Sequence, residues 1–229
     1  MFNAEKVKND CVNWIRQFFE EIEPYDFYRY IFPVGSLERE GHFEDCKPNA
    51  IAVSIDRKNA GKARRFTVTD ELSEVNDFIG SEFTIMSPIS YFGKRRVGKN
   101  ARYLYAFVFD LDGVGMPQLR DVIHQMSNGI LPKATFLVNS GTGLHLYYVL
   151  DEPVAMYQQN QKFLKEMKYS LTRQIWNRFT STIKDPQVQG IMQGFRVVGS
   201  NSKLGKNFPV VAFSFGDRIS IDELLSFIP

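Results

Sequence analysis

The sequence predicts an α+β domain, in which helices pack on an antiparallel sheet. Three observations predict it. An apolar and aromatic run, Tyr103 to Phe109, ends in Asp110 and Asp112 and is bounded by Gly113, as a buried strand would be. Two further strand signals, Ala134–Asn139 and Leu144–Leu150, are separated by the short Gly-bearing turn Ser140–Gly143, which makes them a hairpin. Helix-period stretches flank these strands at 116–126 and at about 155–181.

Taken in order, the chain opens with an amphipathic helix over 4–22. Its apolar face carries Val7, Cys11, Trp14, Ile15, Phe18, Phe19 and Ile22, and Pro24 ends it. Tyr28–Val34, Ala50–Ile55 and Arg64–Val68 read as strands, with Gly35, Gly41, Pro48 and Gly61 marking turns. Ser73–Ile79 reads as a short helix. Residues of about 1–100 thus form a small mixed lobe with basic loops, and about 101–229 a second, RRM-like lobe of the same single domain. Pro117 suits the first turn of the helix over 116–126. In Leu144–Leu150, Leu144, Leu146, Tyr148 and Leu150 share one face, and His145, Tyr147 and Val149 the other. The helix over 155–181 buries Phe163, Leu164, Met167, Leu171, Ile175, Trp176 and Phe179, and breaks at Asp185-Pro186. Phe195–Gly199 and Val210–Phe215 are the last strands, and Ile221–Phe227 a closing helix. The order strand–helix–strand–strand–helix–strand–strand resembles a ferredoxin-like, RNA-recognition-type (RRM-like) sheet.

Composition narrows the function less than local pattern does. The 229 residues are 44% hydrophobic, enough for a sizeable core, and the net charge of +2 implies no particular partner. Charge is concentrated locally. Arg57–Arg65, which includes Arg64 and Arg65, and Lys94–Arg102, which includes Lys94, Arg95 and Arg96, each hold five basic residues and no acid. Such clusters meet phosphate backbones or else stay solvated. Two cysteines, Cys11 and Cys46, imply neither a disulfide framework nor a zinc site. No signal peptide and no membrane-spanning run is apparent, so the expected location is the cytoplasm.

The chemistry concentrates in four places. Asp110 and Asp112, two apart on a strand, point the same way. Like charges so held repel unless a cation sits between them, and a divalent metal is the simplest such cation. The alternative is a pair of turn aspartates capping the next helix. In Ser140-Gly141-Thr142-Gly143-Leu144-His145, glycines let backbone N–H groups approach a phosphate, and Ser140 and His145 add donors. Asp185 offers a third carboxylate, although its spacing alone also fits a helix-ending residue. Arg196 and Lys203 can neutralise a triphosphate, or else are surface charges.

These motifs, in this order, resemble the archaeo-eukaryotic primase superfamily, in particular the primase–polymerase domains carried by plasmids, phages and integrated elements. The match runs from about Tyr103 to Lys203, and SGTGLHLYYVL is its most specific piece. Val197-Val198 stands where relatives often show a proline before the glycine. The resemblance implies a primase catalytic core and a DNA-template-dependent nucleotidyltransferase that makes or extends primers from NTP or dNTP. It implies two Mg²⁺ or Mn²⁺ ions held by Asp110, Asp112 and Asp185. It places the triphosphate on Ser140, Gly141, Gly143, His145, Arg196 and Lys203. The implied partners are single-stranded DNA template, primer–template and a helicase domain or protein, and no membrane. The basic residues Arg64, Arg65, Lys94, Arg95 and Arg96 become candidates for template contact.

Two other readings compete. VFDLDGVG also fits the first motif of haloacid-dehalogenase-type phosphohydrolases, with Asp110 as nucleophile and Asp112 as general acid. That fold requires a helix after Ser140, where the alternation predicts a strand. A non-catalytic replication-initiator module could bind nucleic acid on the same sheet, but has no use for two facing acids.

Overall fold

The structure, a computed structural model, describes residues 3–37, 48–56 and 62–228. Cys46, Gly41 and the 57–61 part of the first basic cluster lie outside the described residues. In chain order the elements are α1 (Ala4–Ile15), β1 (Glu21–Ile22), α2 (Pro24–Ile31), β2 (Asn49–Asp56), β3 (Lys62–Val68), α3 (Val75–Phe78), β4 (Thr84–Tyr91), β5 (Ala101–Asp112), α4 (Met116–Ser127), β6 (Phe136–Asn139), β7 (Gly143–Ala155), α5 (Gln158–Ile175), β8 (Phe195–Arg196), β9 (Asn201–Ser202), β10 (Gly205–Pro209), β11 (Val211–Ser214) and α6 (Ile221–Ser226).

One sheet runs through the molecule in the order β1-β11-β6-β7-β5-β4-β2-β3, with β8 added against β4. Its strand pairs are antiparallel. The expected α+β class and antiparallel sheet are therefore present. The strands of the N-terminal lobe continue this sheet through β4 and β5.

Alternation along β5 and β7 divides the core in two. Phe107, Phe109 and Leu111 of β5 and Leu144, Leu146 and Tyr148 of β7 join α1, α4, α5 and α6 on one side. Ala106, Val108, Tyr147 and Val149 join α2 and α3 on the other. Asp110, Asp112 and His145 belong by parity to this second face, where the apolar side chains of β5 give way to carboxylates.

Several elements differ from the sequence reading. Tyr28–Val34, expected as a strand, lies largely in α2: Pro24 starts a helix, and Phe27, Tyr28 and Ile31 are its buried face. α1 stops at Ile15, because the chain turns to pair Glu21 and Ile22 with β11, which leaves Phe18 exposed. α5 stops at Ile175, and Phe163 and Phe179 are exposed rather than core. β4 had no sequence signal, because Pro88 interrupts it. The proline is tolerated where the β2–β4 register shifts. Strand β7, antiparallel to β5, follows the turn after Ser140, so the helix needed by a dehalogenase-type phosphohydrolase is absent there. No helix among the described residues is long and apolar enough to cross a membrane.

Candidate functional site

β5 delivers both carboxylates to one edge of a small cavity. Asp110 is paired in register with His145, and Asp112 with Gly143. The main-chain N–H and C=O of Asp110 bond away from β7, so Asp110 and His145 form a non-hydrogen-bonded pair, in which facing side chains come closest. His145 Nε2 accordingly lies 3.3 Å from Asp110 Oδ1. His145 is buried against Phe195, and its Nδ1 has no partner among the described residues. Gly143 leaves the carboxylates bare. A Cβ there would lie 2.8 Å from the Leu111 carbonyl, 3.3 Å from Asp110 Oδ1 and 3.4 Å from Asp112 Oδ1.

The cavity, about 160 Å³, is lined by Asp110, Asp112, Ser140, Thr142, His145, Phe83, Ile85, Gly194, Phe195, Arg196 and Lys203. Six residues expected at the site from sequence thus meet: Asp110, Asp112, Ser140, His145, Arg196 and Lys203. Gly141 and Gly143 form the adjoining turn. Gly141 sits at φ +123° against Ser202, a conformation that favours glycine. The Ser140 hydroxyl donates to the Gly143 carbonyl at 3.3 Å. Arg196 is buried, stacks over the Phe83 ring and donates to the Asn201 carbonyl at 2.9 Å. Arg96 lies against Gly194 of the cavity wall, where it fills the space a Cβ would need. Lys94 and Arg95 are exposed in the same β4–β5 connection, and Arg64 and Arg65 are exposed on the edge strand β3.

The pKa values of the two carboxylates are shifted in opposite directions. Burial acts to raise the pKa of Asp110, but the His145 imidazole, Lys203 and Lys168 outweigh it and hold the group below the ordinary value. For Asp112, burial and then the Asp110 charge raise the pKa, against the pull of Lys203 and His145. A divalent cation relieves that conflict. Mg²⁺ in particular is commonly held by one or two carboxylates together with substrate phosphates, so the donor set fits such an ion.

Asp185 is not brought to the cavity. It is exposed in the segment after α5, and no group of three acidic, His or Cys side chains among the described residues is arranged to hold a metal. Its segment is nevertheless anchored to β5 on both sides. Thr182 donates to the Gly113 carbonyl through both its N–H (3.2 Å) and its hydroxyl (2.9 Å). Gln189 bonds the Asp110 main chain. Asp185 is three residues from Thr182, which limits the separation of their Cα atoms to about 11 Å.

A second, larger cavity of about 790 Å³ shares Asp112 and Thr142 with the first. Its walls are largely apolar, with Val7, Val114, Met116, Pro117 and Ile183, and Asp10 of α1 is the other acid in them.

No protein-family profile matches the chain, and no curated protein matches it. Among solved structures, the chain is similar to the AEP domain of the primase–polymerase of cyanophage S-2L. The TM-score is 0.58 at 14% identity, over 81% of this chain and 91% of that one. It is also aligned with the polymerase domain of Mycobacterium tuberculosis ligase D, solved in complex with DNA, at 18% identity over 99% of this chain and 92% of that one. The TM-score there is 0.42, so the assignment rests on the phage domain. By this likeness the chain has the fold of that AEP domain.

Proposed function

We propose that the chain is a DNA-template-dependent nucleotidyltransferase, a primase or DNA polymerase that serves replication of a mobile element. The observation that carries this reading is convergence. Asp110 and Asp112 meet Ser140, His145, Arg196 and Lys203 around one cavity, although the chain separates them by up to about ninety residues. The structural neighbour with this fold is a phage primase–polymerase.

Asp110 and Asp112 would hold Mg²⁺ or Mn²⁺. The resemblance also gives two ions and Asp185 as a further ligand, but Asp185 is not brought to the cavity, so the donors in place are Asp110 and Asp112. Such ions supply positive charge to the triphosphate and to the attacking hydroxyl. The chain's own residues do the rest. Arg196 and Lys203 neutralise phosphate oxygens, and a buried guanidinium does so without first shedding water. His145 faces Asp110 through Nε2, and its Nδ1, which has no partner among the described residues, is the nitrogen left for a phosphate oxygen. Ser140 and the Gly141–Gly143 backbone add donors beside it. The hydroxyl-bearing nucleotide has room in the larger cavity on the other side of Asp112. Its oxygen bonds the α-phosphorus, the bond to pyrophosphate breaks, and the hydroxyl proton leaves with solvent. Holding both reactants against one carboxylate pair is the main catalytic contribution.

The template strand would be held by Lys94, Arg95 and Arg96 of the β4–β5 connection, with Arg64 and Arg65 further along the sheet. The test is incorporation of one labelled nucleotide, NTP or dNTP, on unprimed and primed single-stranded DNA with Mn²⁺ or Mg²⁺. Wild type should form labelled oligomers, and Asp110→Ala/Asp112→Ala should form none. Product from the double variant, or none from wild type on either DNA, would overturn the reading.

A further inference from the structure

Where the carboxylates stand, no strand among the described residues lies beside the outer edge of β5. β4 pairs with β5 only between Ala101 and Leu104, and the opposite edge of β5 is taken by β7. The main-chain groups of Asp110 and Asp112 that point outward are met instead by side chains of the segment after α5. The Gln189 amide accepts from the Asp110 N–H at 3.0 Å and donates to the Asp110 carbonyl at 2.9 Å. The Ser181 hydroxyl donates to the Asp112 carbonyl at 2.6 Å. Gln189 thus exchanges both bonds with one residue, as a neighbouring antiparallel strand would.

We propose that Gln189 is a positioning residue. Its amide substitutes for the missing strand and holds the Asp110 main chain, and so its carboxylate, where a divalent cation needs it. This rests on the nucleotidyl-transfer reading above. Three observations support it. A primary amide is the neutral side chain that offers a donor and an acceptor side by side. The segment that carries Gln189 is itself held in place: buried Lys168 of α5 donates to the Gly190 carbonyl at 3.3 Å, and the Trp176 indole donates to the Ile183 carbonyl at 2.8 Å. The carboxylate so held is the one His145 touches, so a shift of the β5 end would disturb the cation site and the phosphate donor together.

The test is Mn²⁺ binding to the full chain, read from the EPR signal of free Mn²⁺. Wild type, Asp110→Ala and Gln189→Met are compared. Gln189→Met keeps the length and removes both bonds. Gln189→Asn, one methylene too short for both, serves if the methionine variant fails to fold by circular dichroism. The expected result is a Mn²⁺ dissociation constant raised about tenfold with the fold retained. The Asp110 amide should also exchange faster with solvent. At saturating Mn²⁺, kcat should fall while the KM for nucleotide changes less than about twofold. Wild-type Mn²⁺ affinity in a folded Gln189 variant would overturn the proposal alone. Wild-type protein with no Mn²⁺ uptake that Asp110→Ala removes would overturn the metal reading, and the proposal with it.

Discussion

At the residue scale, holding two like charges side by side works against folding where no cation offsets it. Asp112 shows this most directly, since burial and the neighbouring Asp110 both raise its pKa. Its folded value lies above its unfolded value, so the chain gains stability from this group as pH falls through the folded pKa. Asp110 has the opposite sign: its contribution is present above the unfolded pKa and is lost as pH falls through its depressed folded value. Replacing Asp112 by Asn removes the repulsion and keeps the shape. Asp112→Asn should therefore raise stability at neutral pH by on the order of 1 kcal/mol, or ~2–4 °C in melting temperature, while abolishing nucleotide transfer. Thermal melting of the metal-free protein beside the incorporation assay checks both. Most of this residue-level site was legible in the sequence, because period-two alternation fixes which side chains share a face of β5 and β7. Gln189 and Ser181 were not legible. They act through side-chain bonds to a distant main chain, and such bonds leave no periodic trace.

At the element scale, α5 presses a lysine into the core beside the site. Lys168 is buried under the rings of Phe109 and Phe195, and burial lowers its pKa to about 7 although Asp110 opposes the shift. Between that value and the ordinary 10.5, the unfolded chain binds a proton that the folded chain has released. Stability from this group therefore rises with pH across that window, and is lost as pH falls through about 7. Lys168→Met should flatten the pH dependence of stability between neutral and alkaline solution, as measured by urea denaturation. The elements themselves were unequally legible. β5, α4, β6, β7 and α6 follow from hydrophobic period, because each has a buried face and a plain boundary. α2 was misread because its aromatic, β-branched composition suits a strand, whereas its buried positions, Phe27, Tyr28 and Ile31, recur at helical spacing. β4 was hidden by Pro88, and its place in the sheet depends on a register shift that only the partner strands specify.

At the scale of the whole molecule, one antiparallel sheet carries the carboxylates near its middle and exposed cations toward the β3 edge and in the β4–β5 connection. That arrangement suits a DNA strand that reaches the cavity from the β4 side. Each phosphate contact releases counterions, so binding of single-stranded DNA should weaken steeply with salt. Arg95→Ala should lower affinity across sequences and reduce the slope of log K against log salt by roughly 0.7, as followed by fluorescence anisotropy. An unchanged slope would remove Arg95 from the template path. On the proposed function, one cavity holds both the cation and the triphosphate. A crystal grown with Mn²⁺ and a non-hydrolysable dNTP, and measured at the manganese absorption edge, tests it most directly. An anomalous peak bound by Asp110 and Asp112 is expected, with the triphosphate against Ser140, His145, Arg196 and Lys203. A triphosphate bound elsewhere, or carboxylates without manganese in a crystal that holds the nucleotide, would contradict it.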